Sequence, residues 1–428
     1  MKILVIDHTA LNLHFALQAQ DQGHEVRLYS PAVLKGQPNL VGKGLVKRMR
    51  EWEPSMGWAD LVVASDNSKG MFALDGYRKK DYPIFGSTRE TAQWELDRAR
   101  GQEVLQRAGV PVADSYRFSS FKKAAAFAAS TGKRYVAKPN GDVDKALSYV
   151  PKGQDDLAYM LDRWDRTHQG HPDFVLQEFI PGTEFAVGGF FGPSGWCGPW
   201  LENFEHKKLM AGDSGPNTGE MGTVMRYVGE SQLADQVLRP LEPELFRQGY
   251  TGYIDVAVIV DERGRPWPLE FTCRFGYPLW AIQQVLHPDK AEWMLNLVQG
   301  RDTFKPLYDV AVGVVMGLPD FPFCRRPVEE SSGFPIFGLE GQEKWVAQDG
   351  TMMGEVLGKP ARVTANTTPI TVCGRAGTVT EAVDQTYSRV KKINIPNSAL
   401  YRDDIGRKVK DKLKLLKGFG YAKEWNHG

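Results

Sequence analysis

The chain opens with two short, β-branched apolar runs, "KILVID" (2–7) and "HEVRLYS" (24–30). Between them "ALNLHFALQAQDQG" repeats its apolar positions at helical spacing and ends in glycine. Strand, helix, strand in that order predicts a parallel pair joined by a crossover helix. "ADLVVAS" (59–65) and "YPIFGS" (82–87) continue the series, so a doubly wound α/β domain is expected over residues 1–95. "RETAQWELDRARGQEVLQRAGVPVADSYRF" predicts a helix closed by Gly109 and Pro111, then a strand.

"RYVAKPNGD" (134–142) is expected as a strand ending in a turn, and "DFVLQEFIPGTEFAVGGFF" (173–191) as two strands joined at Pro181 and Gly182. "YTGYIDVAVIVDERGRPWPLEFTCRFG" (250–276) predicts a hairpin turning on "DERGRP". After a helical "AEWMLNLVQG" (291–300) the pattern changes to short strands over 310–390, with Arg325, Arg326 and Pro327 marking a boundary. These readings place a middle domain at 96–322, with a small lid subdomain near 118–185. A C-terminal domain, mainly β with some helix, follows at 323–428. The basic tail "GRKVKDKLKLLKGFGYAKEW" (406–425) predicts a terminal helix with Val409, Leu413 and Leu416 on one side.

One stretch breaks the patterning. "AGDSGPNTGEMGT" (211–223) has almost nothing that builds a core, and its residues favour turns. It is expected as a long loop, and such loops inside compact domains are usually functional or disordered.

Composition narrows the class. Lys plus Arg number 53 against 52 Asp plus Glu, so no net field draws the chain to nucleic acid or to a membrane. Hydrophobic residues make up 42% and charged residues 25%, the balance of a soluble globular protein. No segment approaches the ~18 consecutive apolar residues of a membrane span, and the N-terminus lacks a signal-peptide pattern. Cys197, Cys273, Cys324 and Cys373 stand far apart without a CxxC pair and are expected as inert thiols. His168 and His171 fall in a polar stretch and are expected to be exposed. A cytoplasmic protein is expected.

The candidate chemistry begins in the 250–276 hairpin. Asp255 lies mid-strand and Glu270 near the end of the returning strand. A turn near 262–265 sets the two on facing strands, with Thr272 on the same side as Glu270. Charged groups inside a sheet are costly unless paired or bound to a cation, and this oxygen set suits Mg²⁺ bridging substrate phosphates. A pair of surface carboxylates is an equal alternative. Lys138, at the end of "YVAKP", can meet a phosphate as a point charge or be an ordinary exposed lysine. Beyond it, Gln177, Glu178, Phe179 and Ile180 form a strand end whose backbone can read a purine edge. Glu184, across the Pro-Gly turn, can accept ribose hydroxyls.

Lysine on a strand, a strand-end hinge with an acid beyond it and a carboxylate hairpin follow the order found in ATP-grasp ligases. Over nearly its whole length the chain resembles one family of these, the phosphoribosylamine–glycine ligases. "EHKKLMAGDSGPNTGEMGT" is similar to that family's DHK…GD-x-GPNTGGMG segment, and "LEFTCRFGYP" to its EFNCRFGDP. "VCGRAGTVTEAVDQTYSRV…YRDDIGRK" resembles the family's closing pattern, and "YPIFGSTRETAQWELDRA" the entry to its ATP-binding half.

The resemblance implies an ATP-grasp fold, with ATP and Mg²⁺ (or Mn²⁺) as cofactors, glycine as the natural acid and a small-molecule amine as acceptor. It implies a monomer or weak dimer acting through an acyl phosphate, with catalysis resting on positioning and charge neutralisation. Carried over by position, Glu270 and Thr272 hold metal, with Asp255 as an addition. Lys138 and Lys145 hold phosphates, Gln177 to Ile180 the adenine, and Glu184 the ribose. Arg274 steadies the transferring phosphoryl group. Lys207, Asp213 and Asn217 line the substrate pocket, where Asp213 positions the amine.

Three departures qualify this. The family's opening GxGGREH loop, which receives a phosphorylated ribose amine, is replaced by "DHTALNL", where Asp7 would repel a phosphate. Its glycine-rich phosphate loop appears as "DVDKALSYV", keeping Lys145. Thr272 stands for an asparagine, and leucine for the acid after RFGDP. The sequence therefore supports a carboxylate–amine ligase with a changed acceptor, such as a nucleoside, a nucleotide or a modified base. A true glycinamide ribonucleotide synthetase is the alternative, and a non-catalytic nucleotide-binding scaffold is the alternative of another class.

Overall fold

A computed structural model describes residues 1–31, 38–140, 148–167, 173–397 and 399–428. Strands β1 (Lys2–Ile6), β2 (Glu25–Tyr29), β3 (Lys47–Met49), β4 (Leu61–Ala64) and β5 (Ile84–Phe85) form a parallel sheet in the order β3-β2-β1-β4-β5. β1 and β4 are almost wholly buried, as central strands of a sheet covered on both faces must be. The helix Leu13–Asp21 buries Leu13, Phe15, Ala16 and Ala19. Strand order reverses beside β1 and β4, opening a crevice at their carboxyl ends, the usual ligand position in open α/β sheets.

The connection to the middle of the chain corrects one expectation. The helix expected from residue 89 onwards is two helices, Arg89–Leu96 and Arg98–Arg107. Asp97 is extended at the break, and its side chain accepts from the N–H groups of Ala99 and Arg100. An N-cap inside an apolar periodic run is what the periodicity hides.

Next comes a small three-stranded sheet, β6 (Ser115–Phe118), β7 (Tyr135–Pro139) and β8 (Phe174–Glu178), in the order β6-β8-β7. The helices Phe121–Thr131 and Gln154–Thr167 pack with it around Phe121, Leu161, Phe174 and Leu176. The chain then forms β9 (Gly182–Gly192), β10 (Gly195–Glu205), the hairpin β11–β12 (Lys208–Met210 and Ser214–Asn217) and β13 (Gly222–Val228). β14 (Gly252–Asp261), β15 (Pro266–Thr272), β16 (Val310–Met316) and β17 (Val346–Ala347) follow. After them come the hairpin β18–β19 (Thr351–Val356 and Lys359–Thr364) and β20 (Ile370–Ala376). Eight of these make one large sheet, β15-β14-β9-β10-β13-β16-β20-β17.

Two strands from beyond residue 323 thus extend the sheet of the middle region. The helix Val379–Val390 packs on β16 and β20 through Val379, Ala382 and Val390. The tail forms Val409–Gly418 and buries Val409, Leu413 and Leu416, the face its spacing predicts. Trp425 donates to Glu202 over 2.8 Å and anchors the chain end on the sheet. The segment 211–223, expected as a loop, is largely the β11–β12 hairpin and the start of β13. Lys145, and most of "DVDKALSYV", lies outside the described residues, as do His168 and His171. Among the described residues no helix is long and apolar enough to cross a membrane.

Candidate active site

Strand register decides which side chains meet. Asp255 pairs with Thr272 on one side and Gly188 on the other, while Ala257 pairs with Glu270 and Ala186, and Ala186 with Asn203. Directly paired residues share a face, and alternation along each strand extends it. Glu270, Thr272, Asp255, Glu184, Asn203 and Glu205 therefore line one face of the large sheet. Gly188 is required there, because a Cβ at that position would lie 2.3 Å from the Tyr253 hydroxyl and 3.0 Å from Asp255 Oδ2.

Asp255 and Glu270 share the face but not a partner. Asp255 is 2% exposed, accepts from Tyr253 (2.9 Å) and Asn203 (3.1 Å), and meets no cation directly. Burial, with Glu205 nearby, pushes its carboxyl up to about 8. Glu270 instead pairs with Arg98, and with Lys207 at 3.6 Å. Removal from water would raise its carboxyl, but Arg98, Lys207 and Lys138 hold it well below the usual range. Among the described residues no group of three histidines, cysteines or carboxylates is arranged to hold a metal ion. The donor chemistry nevertheless fits a hard cation: Asp255 is buried with no ion pair of its own, and the Oδ1 of Asn203 beside it has no hydrogen-bond partner among the described residues.

Lys207 is the hub of the site. Its ammonium lies 2.7 Å from Glu184 and 2.9 Å from Glu205, and these two with Glu270 hold it firmly protonated. Lys138 donates to Gln177 over 2.8 Å. Loss of water and the neighbouring Arg98 bring its ammonium down to about 8, poised to gain from an arriving polyphosphate.

The hinge is less open than expected. The N–H of Glu178 bonds to Asp114 O and that of Phe179 to Arg134 O, which takes both donors away from a purine. The Glu178 carboxylate pairs with Lys133 (2.7 Å), and the Arg134 guanidinium stacks 3.5 Å from the centre of the Phe179 ring.

Two of the expected site residues have ion-pair partners that the sequence did not show. Asp213 is held at the turn of the β11–β12 hairpin. It pairs with Arg402 (2.9 Å) and Lys408 (3.4 Å), and Arg402, 1% exposed, also grips Asp404 and the Lys208 carbonyl. The pairing clamps the β11–β12 hairpin to the C-terminal segment, and Asn217 on that hairpin reaches the Ser148 carbonyl at 3.5 Å. Arg274 pairs with Glu95 at 3.0 Å and donates to the Phe275 carbonyl. Burial would lower its pKa, but the charges of Glu95 and then Asp66 raise it.

The parallel-sheet crevice holds what the sequence reading only partly saw. Asp7, ending β1, accepts from the N–H of Thr9 (3.2 Å), the Thr9 hydroxyl (2.9 Å) and the N–H of Asn12 (2.9 Å). Asp66, beyond β4, accepts from the N–H groups of His8 (2.6 Å) and Ser68 (2.8 Å). Asp349 accepts from the N–H of His14, at the start of the helix Leu13–Asp21 (2.9 Å). Burial, with Asp66 nearby, lifts Asp7 to about 6, and burial lifts Asp349 to about 7. Backbone donors at strand and helix ends are the natural seat of a phosphate. Here the protein's own carboxylates fill it.

Sequence reasoning missed Arg98, Glu205, Asn203, Glu95, Glu220, Asp66 and Asp349. Glu220 was visible, since it stands where the family pattern GPNTGGMG has glycine. It is 4% exposed, bonded by Thr223, and pushed well up by burial and Glu205.

Residues 97–279 match the family model described as the phosphoribosylglycinamide synthetase ATP-grasp (A) domain. Over most of its length the chain is similar to the phosphoribosylamine–glycine ligases. It is 27% identical to the phosphoribosylamine–glycine ligase of Ralstonia nicotianae over 81% of this chain and 84% of that protein. Its identity to the enzyme of the same name from Synechocystis sp. is 28%, over 82% and 84%. The crystal structure of phosphoribosylamine–glycine ligase from Thermotoga maritima superposes with a TM-score of 0.73 at 19% identity, covering 95% of this chain and all of that one. The biotin carboxylase domain of Hydrogenobacter thermophilus 2-oxoglutarate carboxylase, solved with MgADP, shares the fold at a TM-score of 0.65 and 13% identity, covering 99% of each chain. The sheet face around Lys207 and Lys138 lies within the span of the matched ATP-grasp domain.

Proposed function

We propose that this protein is an ATP-dependent ligase that joins a carboxylate, with glycine the natural candidate, to an amine other than phosphoribosylamine. The observation that carries the changed acceptor is the carboxylate-filled crevice: five backbone N–H groups, of His8, Thr9, Asn12, His14 and Ser68, are already satisfied by Asp7, Asp66 and Asp349. A phosphate entering there would face three buried aspartates that already hold these five amides. A nucleoside or modified base, carrying an amine and no phosphate at that end, suits these acceptors.

The chain's own residues divide the work. Lys138 draws the polyphosphate, with Lys145 as a second proposed contact, and Gln177 fixes the Lys138 ammonium. Ile180 and Phe179 receive the adenine and Glu184 the ribose, whose hydroxyls would compete for the Glu184–Lys207 pair. Asp255, Glu270 and Thr272 would hold Mg²⁺, which supplies charge neutralisation at the transferring phosphoryl group. Arg98 and Lys207 neutralise Glu270 in its absence. Attack of the carboxylate on the γ-phosphate gives an acyl phosphate and ADP. The amine then displaces phosphate to form the amide, so no protein nucleophile is needed. Arg274, held by Glu95, is suited to orienting the acid or the acceptor between the two sheets.

ADP formation with Mg²⁺ and glycine, across a panel of amines with and without phosphoribosylamine, tests this. Amine-dependent turnover with a non-phosphorylated acceptor supports it. Turnover confined to phosphoribosylamine overturns it and establishes the second reading, a glycinamide ribonucleotide synthetase, which the relatives' names favour.

A further inference from the structure

Beside the helix Leu13–Asp21 of the parallel-sheet domain, a cavity of about 300 Å³ is lined by Gln18, Gln284, Lys290, Lys344, Trp345 and Arg375, among others. That volume is at the lower end of small-ligand sites, about 300–1,000 Å³. Two of its cations are held in place by backbone carbonyls. Lys290 donates to Gln284 O over 2.6 Å, and Arg375 donates to Val285 O over 2.8 Å.

Their charge is poorly matched by acids. Asp309 lies 3.7 Å from the Arg375 Nε, while Asp289 uses its oxygens on the N–H groups of Ala291, Glu292 and Trp293. Partial burial and Arg375 bring the Lys290 ammonium down to about 8, the mark of a cation crowded by another. Gln284 is 2% exposed, yet neither its amide nitrogen nor its amide oxygen has a hydrogen-bond partner. A buried amide left unsatisfied is costly, and a polar ligand in the cavity would give it partners. Trp345 forms an aromatic wall, with Lys344 at 5.3 Å and Arg375 at 5.7 Å from its ring centre.

We propose that this cavity is a binding site for a phosphate dianion, gripped by Lys290, Arg375 and Lys344 and hydrogen-bonded by the Gln284 amide. Free phosphate and the phosphate of a small monoester present the same chemistry to these groups. A monoester could also lay an aromatic ring on Trp345. The proposal is independent of the ligase reading, since it shares no residue with that site.

The test is titration of inorganic phosphate into the full chain already saturated with a non-hydrolysable ATP analogue and Mg²⁺, followed by calorimetry. One additional phosphate per chain is expected. Lys290→Met weakens it about tenfold, the loss of one charged hydrogen bond. Lys344→Met, at an exposed position that cannot disturb the fold, weakens it several-fold. Adenosine monophosphate binding more tightly than phosphate, with the excess removed by Trp345→Leu, identifies a nucleotide; equal binding identifies free phosphate. No binding, or binding that both lysine substitutions leave unchanged, overturns the proposal.

Discussion

Two ends of the same cleft carry opposite charge logic. On the large sheet, Lys207, Lys138 and Arg98 interleave with Glu184, Glu205 and Glu270, so Glu184 and Glu270, proposed to meet ribose and metal, each have a cation to exchange. At the carboxyl ends of β1 and β4, Asp7, Asp66 and Asp349 bond to backbone N–H groups. There the ordinary phosphate seat is closed from within. The difference teaches that the nucleotide end and the acceptor end of an ATP-grasp ligase can change separately. The first depends on side chains spread over several strands, whereas three aspartates, from the ends of two strands and from a distant segment, set the second.

The largest effect that would break this comparison is expected at the hub. Lys207→Met leaves Glu184, Glu205 and Glu270 without their shared cation and should lower kcat by about 10²–10³, the cost of losing one preorganised charge in a water-poor site. Near-normal ADP release in that variant would remove Lys207 from the account. Next comes Gly188→Ala, which would push a methyl group into Tyr253 and Asp255. We expect a destabilisation of about 1–3 kcal/mol in urea unfolding, as for other overpacked sites, with turnover falling because Asp255 is displaced.

Asp7→Gly sharpens the other side. It frees the N–H groups of Thr9 and Asn12 and removes a buried negative charge, so inorganic phosphate or phosphoribosylamine should bind about tenfold more tightly, the worth of one charge-assisted hydrogen bond. Unchanged binding would show that Asp7 does not guard the crevice. The smallest effect concerns pH. Lys138 is cationic below about 8 and neutral above it. ATP affinity should therefore hold below that value and fall a few-fold as pH rises through it. Lys138→Arg, whose guanidinium stays charged, should flatten the profile.

What was legible in the sequence was local. The β-α-β opening, the 250–276 hairpin and the amphipathic tail all follow from spacing, and Lys138, Glu184 and Glu270 fall on strand ends that the pattern locates. What was hidden depended on distance in sequence. Arg98 meets Glu270 across 172 positions, and Asp349 caps a helix 335 positions away. Asp213 was placed in the substrate pocket by resemblance, and its ion-pair partner Arg402 lies 189 residues on, beyond the reach of any local pattern. The break at Asp97 was missed because a capping aspartate inside an apolar run leaves the helical period intact. Asp7 was read as an obstacle to phosphate, and the structure adds the means: its oxygens take the donors a phosphate would need.

The central claim, an intact nucleotide end joined to a closed phosphate seat, is tested most directly by one comparison of acceptors. ADP formation with glycine should be measured for phosphoribosylamine and for ribosylamine, the same amine without its phosphate. The account predicts that ribosylamine has the higher kcat/KM. A clear preference for the phosphorylated amine would contradict it.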